Sequence, residues 1–270
     1  MTPAKLKAKI AVLGVAASMA GGGIPGRADP SQTLSIAAAA DLVFCLDALD
    51  VEFKKTHPGS DLKVSSGSSG NFFAEIENGA PFDVFLSADM KYPRNLVAVG
   101  FADGGTLTPY ALGRIVLWTT RPDVDLGGGL ESLRGDKIHK IAIANPDHAP
   151  YGRAAREALQ HEKLWDPLQS KLIIGENIAQ TAQFVQTGNA DAGIVALALV
   201  LAPATKGVGK YVEIPDSYHA PLEQGLVVTR HGAGNPVAAE YLKFLRSGEA
   251  RTIFDAYGFR LPGSAADTHP

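Results

Sequence analysis

The chain has 270 residues, of which 46% are hydrophobic and 20% charged, and its formal net charge is −3. That balance belongs to a globular chain able to bury a sizeable core, and it excludes a disordered or membrane-embedded one. With no Lys/Arg cluster in the body of the chain, nucleic acid and anionic lipid are poor partners, and a small ligand is the better expectation.

Residues 1–9 carry three lysines, residues 10–20 are apolar, and Gly26-Arg27-Ala28 is a small-x-small pattern before Asp29. This predicts a secretory signal peptide over residues 1–28, with cleavage after Ala20 as the alternative. The apolar stretch is too short to span a bilayer, and no later segment approaches the roughly 20 apolar residues required. The expected location is therefore periplasmic, without membrane insertion. Cys45 is the only cysteine, so no intrachain disulfide and no thiolate metal centre is expected. It shares a helical face with Leu42, Leu49 and Phe53, which predicts a buried thiol rather than a nucleophile. It does not adjoin the cleavage site and is not a lipid-anchor cysteine.

The pattern beyond residue 30 alternates strands with helices, which predicts an α/β fold with mainly parallel sheet and helices on its faces. Residues 34–38 form a buried strand, and 41–55 an amphipathic helix ended by His57-Pro58-Gly59. Residues 62–66 form the next strand, followed by a helix over about 70–78 closed by Gly79. Residues 83–87 are a third strand, and Asp89 caps a helix with Pro93 near its start and Gly100 beyond its end. The pattern restarts with strands at 115–118 and 140–144, a loop at 145–152 and an alanine-rich helix. Asn177 opens another helix, 192–195, 211–214 and 225–229 are strands, and Asn235-Pro236 starts a C-terminal helix. Residues 264–270 are expected to be a frayed tail.

The run from Ser65 to Phe73 contains only small hydroxyl residues, glycines, Asn71 and aromatics, at a strand-to-helix junction. Open amides and hydroxyls at the positive end of a helix suit an anion. Four junctions share this character: Ala40/Asp41, Ser68/Ser69/Gly70, Tyr151/Gly152 and Ile178/Ala179. Ligands on such sheets sit outside the carboxyl ends of the strands, so the four could surround one compact oxyanion with neutral donors. Plainer readings stand beside this one. Ser68 and Ser69 could serve as helix caps, and Asp41 is expected to be an N-cap because a carboxylate would repel an anion. Asp147 and His148 form a solvated loop pair, and Arg153 points to solvent or to a carboxylate.

The segments AAAADL (37–42), VSSGSSGNFFAEIENGAPFDVFLSAD (64–89), ANPDHAPYGRAAREAL (144–159), GENIAQTAQFVQTGNADAGIV (175–195) and IFDAYGF (253–259) resemble the periplasmic molybdate-binding proteins of ABC transporters. The resemblance covers about 31–262. It implies a type II periplasmic-binding-protein fold, with two α/β lobes, a hinge and an interlobe ligand cleft. Lobe one would comprise 31–112 plus 223–263 and lobe two 113–222, with hinge crossings near 112–114 and 222–224.

The resemblance also implies that Ala40, Ser68, Ser69, Tyr151 and Ile178 contact the oxyanion, and that none is a direct metal ligand. Ser69 would donate through hydroxyl and amide, Ile178 through its amide alone. Ala40 stands where the family usually has serine, and Ala196 where some members have a tyrosine donor; the Tyr151 phenol is expected to replace the latter. The implied ligand is molybdate, with tungstate as a second, and the implied partner is a membrane permease with a cytoplasmic ATPase. The protein would be a monomer without cofactor or catalytic residues. The alternatives are a receptor for another small oxyanion or carboxylate, a sensory ligand-binding module, and a secreted serine hydrolase acting through Ser68 or Ser69, which lacks a G-x-S-x-G elbow.

Overall fold

Strands that end in small residues and run directly into helices dominate the architecture. The computed structural model describes residues 33–262. The signal peptide expected over 1–28 and the tail over 264–270 lie outside the described residues. In chain order the elements are β1 (Thr33–Ala39), a 3-10 turn (Ala40–Leu42), α1 (Val43–Thr56), β2 (Asp61–Gly67), α2 (Ser69–Glu77), β3 (Val84–Ser87), α3 (Lys91–Ala98), β4 (Thr108–Gly113) and β5 (Ile115–Thr119). There follow β6 (Ile141–Ala144), α4 (Pro150–His161), α5 (Trp165–Leu168), β7 (Leu172–Gly175), α6 (Ile178–Gln186), β8 (Ala192–Ala196) and α7 (Leu197–Leu201). The last are β9 (Lys210–Glu213), β10 (Leu222–Val228), α8 (Pro236–Leu245) and α9 (Gly248–Ala256).

The strands form two five-stranded sheets, in the orders β2-β1-β3-β10-β4 and β7-β6-β8-β5-β9. The first therefore takes its strands from both sides of the second in sequence. Only Arg114 separates β4 from β5, and residues 214–221 lead back from β9 to β10. The expectation of mainly parallel pairing is corrected here. β1 pairs parallel with β2 and β3, and β6 with β7 and β8. β10 pairs antiparallel with β3 and β4, and β5 with β8 and β9. Strands that carry the chain directly between sheets need no helical crossover, so they enter in the opposite sense.

Local chemistry explains the boundaries. The Ser68 hydroxyl accepts from the Asn71 amide at 3.3 Å to start α2. Asn177 accepts from Gln180 at 3.0 Å to start α6, and Asn235 from Val237 at 3.0 Å to start α8, whose first residue is Pro236. Asp89 accepts from the Tyr92 amide at 3.3 Å as expected, and Gly100 closes α3 with φ +76°. Sequence reading missed β4, β7, α5, α7 and α9. β7 is a partly exposed edge strand, and α7 is a five-residue apolar helix that continues β8 without a break. Neither shows a period long enough to declare itself.

One buried cluster fills the space around β5, β6 and β8 and reaches Ala39, Ala40 and Ala88 at the ends of the first sheet's strands. A second joins β1 and β3 to α1, α8 and α9. A third lies under α2 and α3. Cys45 is wholly buried in the second cluster, and desolvation with the nearby Asp41 charge pushes its thiol pKa up. Among the described residues no helix is long and apolar enough to cross a membrane.

Gly152 lets α4 sit against the end of β6: a Cβ there would lie 2.3 Å from the Ala144 oxygen and 2.7 Å from the Asn145 carbonyl carbon. Gly152→Ala is expected to cost about 1–3 kcal/mol through overpacking against backbone. Thermal unfolding should show a drop of roughly 2–10 °C. Gly248→Ala, which meets no atom within 4 Å, should leave the midpoint unchanged within about 2 °C.

Candidate functional site

The carboxyl ends of β1, β2, β6 and β7 each lead into a helical start, by way of the 3-10 turn, α2, α4 and α6. Ala40, Ser68, Ser69, Tyr151 and Ile178, the five residues singled out in the sequence, all line one cavity at these starts, together with Asp41, Gly67, Ala88, Ala149 and Pro150. The cavity is small and closely lined, which excludes an extended organic molecule. First-turn amides have no carbonyl one turn earlier to bond. Those of Ser69, Tyr151 and Ile178 have no backbone acceptor among the described residues. Aligned with their helix dipoles, they present partial positive charge.

The two serines differ. Ser69 accepts from the Ala88 amide at 2.9 Å through its hydroxyl oxygen, which leaves its own proton to donate. The Ser68 hydroxyl caps α2 and lies 2.9 Å from His148 Nδ1. The capping reading is thus right for Ser68, and its hydroxyl is already engaged. Gly70 donates its amide to the His148 carbonyl at 2.9 Å, and a Cβ there would lie 2.5 Å from that oxygen. This glycine allows α2 to touch the loop before α4. The solvated pair expected at 147–148 is corrected accordingly: Asp147 is exposed, but His148 is held by Ser68, Gly70 and the Tyr92 hydroxyl, which donates to its carbonyl at 3.4 Å. Arg153 pairs with Asp89 and donates to the Tyr92 oxygen at 3.2 Å, as the carboxylate reading anticipates.

Asp41 was expected to be an N-cap, and it makes no cap hydrogen bond. It is 1% exposed. The Tyr151 hydroxyl donates to its Oδ2 at 2.9 Å, and Gln224 Nε2 donates to the same oxygen. Gln224 Nε2 also donates to the Tyr151 oxygen at 3.0 Å, and the Tyr110 hydroxyl donates to Gln224 Oε1 at 2.7 Å. Gly113 makes room for this network, since a Cβ there would lie 2.3 Å from the Tyr151 oxygen. Burial lifts the Asp41 carboxyl to about 6, against the Gln224 and Tyr151 hydrogen bonds that lower it. Burial and the Asp41 charge raise the Tyr151 phenol well above its ordinary value.

The expectation that the Tyr151 phenol supplies the donor missing at Ala196 is corrected by this geometry. Its single O–H points to Asp41, which leaves the backbone amide as the Tyr151 donor without a backbone acceptor. Ala196 is buried at the end of β8. Sequence reading missed Gln224 and Tyr110 as members of this network; the available signal was an amide side chain beside Glu223 at the start of the strand Leu222–Val228. Among the described residues no group of three His, Cys, Asp or Glu side chains could hold a metal ion.

These features accord with the comparisons. The model of the bacterial extracellular solute-binding protein family matches residues 34–260. The molybdate-binding protein of Azotobacter vinelandii is 35% identical over 242 residues, which is 89% of this chain and 95% of that protein. The molybdate-binding protein of Rhodobacter capsulatus is 37% identical over 238 residues, covering 87% and 92%. The solved structure of the Azotobacter vinelandii periplasmic molybdate-binding protein matches with a TM-score of 0.80 at 37% identity, over 85% of this chain and 99% of that one. The chain therefore belongs to the bacterial extracellular solute-binding protein family, and its paired α/β sheets are the periplasmic-binding-protein fold.

Proposed function

We propose that this protein captures molybdate in the periplasm, binds tungstate as well, and delivers the anion to the membrane permease of an ABC importer. The observation that carries the reading is the convergence of Ala40, Ser69, Tyr151 and Ile178 from four helical starts on one cavity. A doubly charged oxyanion would be met there by neutral donors, and the relatives from Azotobacter vinelandii and Rhodobacter capsulatus are themselves molybdate-binding proteins. Ser69 contributes hydroxyl and amide; Ala40, Tyr151 and Ile178 contribute amides. Ser68 supports them as the cap of α2. No chemistry is performed on the ligand, no cofactor is needed, and the protein acts as a monomer.

In this reading residues 31–112 plus 223–263 form one lobe and 113–222 the other, hinged where β4 meets β5 and where β10 begins. Closure expels water and strengthens every anion contact in the lower dielectric. Contacts such as Gly70 to His148, Asn71 to Glu176 at 2.7 Å and Arg153 to Asp89 would hold the closed form. Selectivity against sulfate comes from size, because fixed amides that fit a larger tetrahedron leave a smaller one with stretched hydrogen bonds.

The Ser68–His148 contact favours a serine hydrolase as the second reading, since a hydroxyl within reach of an imidazole is the minimum for an activated nucleophile. Against it, the Ser68 oxygen accepts a helix-cap bond, and the Glu176 carboxylate lies 3.9 Å from His148 Nε2, too far to orient the ring. Ester hydrolysis that disappears in Ser68→Ala would establish the enzyme.

Thermal unfolding with molybdate, tungstate, sulfate, phosphate and no anion tests the receptor reading. Ligand at about 100 times its dissociation constant adds roughly 2.7 kcal/mol. Clear upward shifts are expected with molybdate and tungstate; a shift with sulfate alone would overturn the ligand assignment. Ser69→Ala should weaken molybdate binding by about 1.5–3 kcal/mol, roughly 10- to 150-fold, as for a hydrogen bond to a charged group. Titration calorimetry measures this, and an unchanged affinity would remove Ser69 from the site.

A further inference from the structure

Asp41 is the one carboxylate that lines the cavity. Its Oδ2 receives hydrogen bonds from Tyr151 and Gln224, whereas its buried Oδ1 has no partner. A buried carboxylate with one oxygen doubly bonded and the other bare is half satisfied. A proton on Oδ1 removes a charge from a desolvated place, and the resulting O–H is satisfied once an acceptor such as an anion oxygen lies beside it. Ala40, the preceding residue, offers no hydroxyl, so the cavity lacks a side-chain donor on that side.

Resting on the reading of this cavity as an oxyanion site, we propose that Asp41 is a ligand-binding residue that takes up one proton from solvent as the anion enters and, keeping that proton on Oδ1, donates a hydrogen bond to an anion oxygen. Tyr151 and Gln224 then orient the carboxyl group by holding Oδ2, so the proton is directed to the other oxygen. The anion is bound as its unprotonated form, and the proton stays on Asp41.

The direction of the pH effect follows. Desolvation already lifts the free carboxyl to about 6, against the bonds from Gln224 and Tyr151. An arriving dianion lifts it further, because like charges at short range disfavour ionisation. Below about pH 6 Asp41 is protonated before binding, and affinity is flat. Above that, each anion bound brings in one proton, and affinity falls about tenfold per pH unit until the pKa of the bound state is passed.

The phenols and the thiol beside Asp41 are held out of this window. Burial raises the Tyr151 phenol on α4, the Tyr110 phenol on β4 and the Cys45 thiol on α1. Gln224 on β10 is neutral, α6 and α7, which pack on the same 3-10 turn, carry no ionisable residue, and Asp61 and Lys63 sit at the far end of β2, beside Thr33 and Ser35. His148 is the neighbour that needs a control, since it touches Ser68. Asp50, further along α1, is also lifted to about 6 by burial against its bond from Tyr241, so Asp50→Asn serves as a second control and should keep the wild-type slope.

The test is molybdate affinity of the purified protein from about pH 5 to pH 8, with protons counted by calorimetry in two buffers of different ionisation enthalpy. The wild type should weaken about tenfold per pH unit above about pH 6 and take up close to one proton per anion there. Asp41→Asn, whose amide donates without titrating, should bind with little pH dependence and take up no proton, while His148→Gln should keep the wild-type slope. A flat wild-type profile with tight molybdate binding overturns the proton coupling alone, as does a slope retained by Asp41→Asn and lost by His148→Gln. Hydrogen phosphate bound in preference to molybdate would make the Asp41 carboxylate an acceptor and overturn its donor role. Absence of binding by any oxyanion at any pH overturns the receptor reading and this proposal together.

Discussion

Three side chains from three distant parts of the chain meet at one carboxylate oxygen, Oδ2 of Asp41. Tyr151 reaches it from α4 beside the second sheet, Gln224 from β10 in the first, and Asp41 itself sits on the turn that follows β1. In a desolvated place each unpaired polar atom costs about 1–3 kcal/mol, and within this cluster Asp41 Oδ1 is the atom left without a partner. Losing any member would leave the others unsatisfied, and this sets the relative position of the helical starts. The network is therefore the constraint on which the cavity's geometry depends. Gly113 belongs to it as much as the polar residues, since only a residue without a side chain admits the Tyr151 hydroxyl.

The cavity wall uses the other property of these junctions. A helix start is a set of fixed donors, and several starts aimed at one point give donors without mobile cations. Small residues are required wherever two backbones approach: Gly70 against the His148 carbonyl, Gly152 against the end of β6. The Ser/Gly run is thus divided among tasks. Ser68 caps, Ser69 carries a free hydroxyl proton, and Gly70 permits the approach of the facing loop.

Most of the strand-helix alternation was legible in the sequence, and the five residues singled out at its junctions do line the cavity, because junction chemistry is local: a cap, a small residue, a change of period. What was not legible is non-local. Gln224 and Tyr110 lie on β10 and β4, whose antiparallel entry into a sheet of parallel neighbours leaves no mark on the hydrophobic pattern. The role of Asp41 was misassigned for the same reason. Its position before a helix suggested a cap, and only the fold brings Tyr151 to it from 110 residues away. Likewise the Tyr151 phenol looked free in the sequence, because its acceptor could not be seen.

The strand order β2-β1-β3-β10-β4 has a consequence for how this chain comes together. β4 bonds within its sheet only to β10, and β10 follows the whole of the second sheet in sequence. The second sheet draws all its strands from one continuous stretch, Ile115 to Glu213, and can assemble without the chain's end. The first cannot close until that end arrives, and the loop closure across so long a separation is entropically slow. Gln224 lies on that last strand, so the Asp41 network is completed by the last strand to join its sheet, and the cavity takes shape after the greater part of the molecule has formed.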